Sequence, residues 1–77
     1  MDDIRRWFAA KLGFEHADDL PLTLTIEQAG KPVGMNRQAA YRAAAAGDMP
    51  TIELGGRKRV PTIAWLHILA GQGSKAA

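Results

Sequence analysis

Apolar positions along the chain change their spacing from segment to segment, and each change marks an element. Ile4, Trp7, Phe8 and Leu12 recur at helical intervals while Arg5, Arg6 and Lys11 fall on other faces, which predicts a helix over residues 4–12. Asp2 or Asp3 can cap it, Gly13 suits the position just past its end, and Phe14 can fold back onto it. The aromatic side, Trp7 and Phe8, is expected to pack on the domain. Residues 15–23 break the pattern with two adjacent acids and Pro21, and read as a linker. Leu22, Leu24 and Ile26 then alternate with threonines, which permits a very short strand.

The helical period returns at Thr25, where T-x-x-Q with Gln28 forms a capping box and Ile26, Ala29 and Val33 share a face. Pro32 lacks a backbone donor and Gly30 weakens the segment, so it should last about one and a half turns and distort near Lys31. Gly34 supplies a permissive turn, Met35 can plug the space between two helices, and Asn36 caps the next helix. That helix covers 37–46 and is rich in alanine, the best helix former; Gly47 ends it.

Residues 51–54 alternate with period two, Gly55-Gly56 signals a tight turn, and residues 58–60 return as a second strand. Ile52, Leu54 and Val60 are expected to face the core, leaving Arg57, Lys58 and Arg59 at the tip. Pro61 stops the strand and Thr62 can cap a last helix. Its core stripe would be Ile63, Leu66 and Leu69, with Trp65 and Ile68 turned toward the first helix. From residue 71 onward all periodicity is lost, which predicts a frayed tail over 71–77.

Composition narrows the class. At 77 residues the chain has room for one core, so residues 1–70 form a single domain with 1–23 as N-terminal helix and linker. The expected fold class is mainly α with a small β-hairpin. With no cysteine, disulfides and thiolate zinc sites are excluded, and His16 and His67 have no matching ligand cluster. No apolar run approaches a membrane span and no signal-peptide pattern opens the chain, so a cytoplasmic location is expected. Charge is divided unevenly. Residues 1–30 carry three bases against six acids, a net of −3, whereas residues 31–77 carry seven against two, a net of +5. The second part of the chain is suited to a polyanion.

Candidate chemistry sits in that basic part. Arg37, Gln38, Tyr41 and Arg42 are spaced i, i+1, i+4 and i+5 and share one helix face, with Ala40, Ala43 and Ala44 opposite. Arginine can bond guanine through two donors, glutamine can do the same to adenine, and tyrosine can reach a phosphate. A solvated helix face has the same composition; the basic hairpin behind it tips the reading toward duplex DNA. Arg57, Lys58 and Arg59 could equally keep a strand edge from aggregating, but three cations beside a Gly-Gly tip also suit phosphates or the minor groove. Asn36 at the head of the helix completes the predicted DNA-binding set of Asn36, Arg37, Gln38, Tyr41, Arg42, Arg57, Lys58 and Arg59. Neither G-x-x-x-x-G-K-[ST] nor G-x-G-x-x-G occurs, no nucleophile–base set can be built around either histidine, and no cofactor or enzymatic activity is expected.

The stretch from Leu24 to Leu69 resembles the winged helix-turn-helix domains of the excisionase group within the MerR-like superfamily. The resemblance rests on the opening LTIEQA, the turn and helix GMNRQAAYR, the junction GDMP and the hairpin IELGGRKRVP. It implies a recombination directionality factor that binds attachment-site DNA and biases a phage or plasmid tyrosine integrase toward excision in a bacterial host. Helix 37–46 would occupy the major groove and the wing at 55–59 the adjacent minor groove. Cooperative self-association on direct repeats, DNA bending and contact with integrase are further implications. A small repressor of the same fold, or an integrase-docking module using Trp7 and Phe8, are the alternatives. The chain departs from the family pattern at Gly30 and Pro32, and its helix at 4–12 is an addition to it.

Overall fold

The computed structural model describes residues 2–71. Of the expected tail, only Gly71 falls within them; 72–77 lie outside the described residues. The described chain is mainly helical, with a small antiparallel sheet. In chain order it contains α1 (Asp2–Leu12), β1 (Thr23–Leu24), α2 (Ile26–Gly30), α3 (Arg37–Ala46), β2 (Ile52–Leu54), β3 (Arg57–Pro61) and α4 (Thr62–Leu69). Single 3₁₀ turns occupy Ala17–Asp19 and Lys31–Val33.

Local chemistry accounts for most of these boundaries. Asp2 and Asp3 lie inside α1 rather than at its cap, and Asp3 holds Arg6 at 2.8 Å one turn on. At the other end Gly13 takes φ +91°, its N–H reaches Ala10 O and the Phe14 N–H reaches Ala9 O. Those two bonds form a Schellman closure that only a left-handed residue allows without strain. The capping box at α2 is complete: the Gln28 N–H donates to Thr25 Oγ1 and the Thr25 N–H to Gln28 Oε1, both at 3.0 Å. The helix then tightens into the 3₁₀ turn at Lys31–Val33, where Pro32 removes a donor.

Gly30 does more than weaken α2. A Cβ built there would lie 2.8 Å from the Ala40 Cβ and 3.1 Å from the Met35 Cβ. The glycine and the alanine together let α2 and α3 approach closely.

The sheet has three strands in the order β1-β3-β2. β3 is central: Thr23 and Leu24 pair with Pro61 and Val60 on one side, and Ile52, Glu53 and Leu54 pair with Arg59, Lys58 and Arg57 on the other. The expected hairpin is therefore joined by the short strand before α2. Leu24 and Val60, paired across the sheet, are both fully buried.

The core comprises Phe8, Leu24, Ile26, Ala29, Ala40, Met49, Val60, Trp65 and Leu66, with Ile4, Leu12, Val33, Met35 and Leu69 packed around it. Three expectations are corrected here. Ile52 and Leu54 do not face the core; they are 41% and 51% exposed. The ladder places them opposite Arg59 and Arg57, on the face away from Val60, because side chains alternate along a strand. Thr62 is not a cap. It is the first residue of α4, is buried, and its hydroxyl donates to the Pro21 carbonyl at 2.6 Å while its N–H donates to Leu22 O. That attachment rotates α4 so that Thr62, Trp65, Leu66 and Leu69 turn inward and Ile63 is half exposed. Trp65 faces α2, donating its indole N–H to Ala29 O at 2.8 Å, and Leu69 rather than Ile68 reaches α1, closing an apolar cleft with Ile4, Trp7 and Val33.

Among the described residues no helix is long and apolar enough to cross a membrane. No group of three or more His, Asp or Glu among them could hold a metal ion.

Candidate nucleic-acid interface

α3 is set up by its two ends. Asn36 has an extended backbone and its Oδ1 accepts the Ala39 N–H at 2.8 Å. One lone pair of its side-chain oxygen is thereby committed to the cap, which leaves the amide NH₂ and the second lone pair of this predicted contact for other partners. Gly47 at φ +85° closes the far end, with the Asp48 N–H on Ala43 O at 2.9 Å. Between these caps Ala40 is fully buried against the core, and Arg37, Gln38, Tyr41 and Arg42 are exposed, as their spacing predicts.

One contact within that face was not foreseen. The Arg37 guanidinium lies over the Tyr41 ring, 5.8 Å from its centroid. This is an i, i+4 cation–π pair, which restrains a long side chain that would otherwise sample many rotamers.

The β2–β3 hairpin turns at Gly55 and Gly56, whose φ values of +58° and +80° suit a two-residue turn closed by glycine. Arg57 and Lys58 are exposed just past the turn. Glu53 stands opposite Lys58 in the ladder and tempers its charge. Arg59 differs from its two neighbours. It is half-buried, with Nε donating to Thr23 Oγ1 at 3.3 Å and Nη2 to the Thr23 carbonyl at 3.5 Å. It thus ties β3 to β1 in addition to carrying charge.

Helix and hairpin meet at a cleft of about 550 Å³. Tyr41, Ala44 and Ala45 form its helical wall, Arg57, Lys58 and Arg59 its hairpin wall, and Thr25 and Ile26 its end. No acid lines it. Tyr41 is therefore the predicted helix residue brought directly to the hairpin cations, while Gln38 and Arg42 line a different part of α3. A second cleft of about 390 Å³ shares Thr25 with the first and is also lined by Glu27, Gln28, Lys31, Met35 and Arg37.

Two residues that the spacing of apolar and polar positions did not single out therefore border the candidate interface. Thr25 stood out only as a cap, and Lys31 only as the residue before Pro32. Their role depends on how α2 packs on α3, which no local pattern encodes.

The aromatic pair on α1 is split. Phe8 is fully buried, whereas Trp7 is 42% exposed with the Lys11 ammonium 5.9 Å from its ring centroid. A protein contact through both rings is not available on this surface. No protein-family model, no curated protein and no solved structure matches the chain.

Proposed function

We propose that this chain is a winged helix-turn-helix protein that binds duplex DNA, with α2 and α3 as the helix pair and the β2–β3 hairpin as the wing. The observation that carries the reading is the acid-free cleft in which Tyr41 of α3 faces Arg57, Lys58 and Arg59. Helix and hairpin wall the same cleft, an arrangement that a major groove and its neighbouring minor groove would suit. The segregation of charge, +5 beyond residue 30 against −3 before it, supports the same polarity.

Within that class we assign the excisionase role on the strength of the LTIEQA, GMNRQAAYR and IELGGRKRVP segments. The action is architectural rather than catalytic. Copies on adjacent repeats bend the attachment site so that distant integrase sites meet, and the bend, of order 1–6 kcal/mol in elastic cost, is offset by contacts it creates.

Selection of bound duplexes from a random pool tests this reading, followed by a bend measurement on the enriched sequence. Tandem direct repeats that bend on binding are expected; a palindrome bound by a dimer would favour the repressor instead. The wing is tested by Arg57→Ala/Lys58→Ala, which spares the Arg59–Thr23 bonds. The slope of log K against log salt should fall by about 1.8, near 0.9 for each lost phosphate contact. An unchanged slope and affinity would remove the wing from the interface.

A further inference from the structure

The two clefts beside α3 adjoin at Thr25, which lines both. Along α3 they are walled by Arg37, Tyr41 and Ala44, which recur at i, i+4 and i+7 and so mark one flank of the helix, correcting the expectation that Ala44 lies opposite the polar residues. The stacked Arg37–Tyr41 pair joins them, since Arg37 lines one and Tyr41 the other. Five cations border the combined trough: Lys31 and Arg37 at one end, Arg57, Lys58 and Arg59 at the other. Glu27 is the single acid among its lining residues. Ala44 and Ala45 keep the floor low, and the Thr25 hydroxyl, which accepts from the Gln28 N–H, retains its own hydrogen to donate. Gln38 and Arg42, exposed and four residues apart, line neither cleft.

We infer that this trough seats one phosphodiester strand of the duplex, running from Lys31 and Arg37 past Thr25 and Tyr41 to the hairpin, and that base reading falls to Gln38 and Arg42. The assignment rests on the DNA-binding reading and divides its residues by job. Arg37, which composition alone allows as a guanine reader, is turned along the helix onto Tyr41 and becomes a backbone contact. Lys31, outside the predicted set, becomes another. A strand held along its length on one side of α3 fixes the depth and roll of the helix in the groove. The opposite polar edge is then the part that meets base edges.

The test compares an enriched duplex with a scrambled duplex across a salt series. Lys31→Ala and Lys31→Gln should each lower the salt slope by about 0.9 and weaken both duplexes by the same factor. The glutamine variant keeps most of the aliphatic stem, and a melting curve for each variant checks that the fold is intact. Arg37→Ala should behave like the lysine variants, whereas Gln38→Ala and Arg42→Ala should shrink the ratio of specific to scrambled affinity by roughly tenfold. An unchanged slope in folded Lys31→Gln would overturn the trough, as would an Arg37→Ala variant that loses as much discrimination as Arg42→Ala. Wild-type protein with no salt-dependent affinity for either duplex would instead overturn the DNA-binding reading itself.

Discussion

Trp65 shows how one polar atom decides the setting of a helix. A residue at this position in an apolar segment reads simply as bulk, yet its indole N–H reaches the Ala29 carbonyl in the last turn of α2. The group is buried, so leaving that carbonyl without its partner costs more than the bond contributes. Trp65→Phe is expected to destabilise the domain by about 1–3 kcal/mol, measured as a lower denaturant midpoint at constant m value. Ile63→Ala, on the exposed side of α4, should cost less than about 0.5 kcal/mol. Equal midpoints for the two variants would mean that the hydrogen bond contributes nothing. At this scale the sequence was legible where the chemistry is local. Thr25, Asn36, Gly13 and Gly47 each satisfy backbone groups within a few residues, so their roles follow from order alone. Thr62 was misread as a cap because its actual partners, Pro21 and Leu22, lie 40 or so residues away in the chain.

Elements were legible in extent and less so in orientation. The alanine-rich helix occupies the predicted residues 37–46, and α2 gives way to a 3₁₀ turn at Lys31 as Gly30 and Pro32 required. Alternation in residues 51–54 identified a strand and the parity of its side chains. It could not say which parity faces inward, and the pairing of Ile52 and Leu54 with Arg59 and Arg57 reversed that expectation. The packing of α2 on α3 was likewise hidden, because it depends on the missing side chain at Gly30 opposite the small Ala40. Gly30→Ala would place a methyl 2.8 Å from the Ala40 Cβ, an approach that folded proteins essentially never tolerate. We expect a loss of about 1–3 kcal/mol in the parent. In an Ala40→Gly background the same change should cost at least about 0.5 kcal/mol less, a coupling read from a double-mutant cycle. Strict additivity would show that the helices move apart freely and that close approach is not required.

For the molecule as a whole, the division of charge was visible in the sequence, and the structure brings five of the cations, Lys31, Arg37, Arg57, Lys58 and Arg59, to one flank of α3 and the hairpin. What could not be read was the meeting of the two clefts at Thr25, since Thr25, Lys31, Arg37, Tyr41 and Arg57 come together only when α2, α3 and the sheet are assembled. The N-terminal α1 also acquires a definite structural part. Phe8 fills the core and Ile4 packs beside it, so α1 completes the hydrophobic interior of a chain too short to bury much surface otherwise. Its outward face carries the exposed Trp7.

The pairing of β1 with β3 has a kinetic side. Leu24 and Val60 are neighbours in the sheet, as are Thr23 and Arg59 through their hydrogen bonds, and each pair spans 36 residues of chain. All the residues proposed to touch DNA lie inside the loop so closed. Closing it costs roughly 3 kcal/mol of chain entropy, while α2, α3 and the hairpin require only local contacts. The clasp should therefore form after the transition state. Thr23→Ala is expected to steepen nothing in the folding arm of a chevron but to raise the unfolding rate by the whole of its stability loss. If the folding rate fell instead, the clasp would belong to the nucleus, and the loop that carries the proposed DNA contacts would be closed before the rest of the fold is complete.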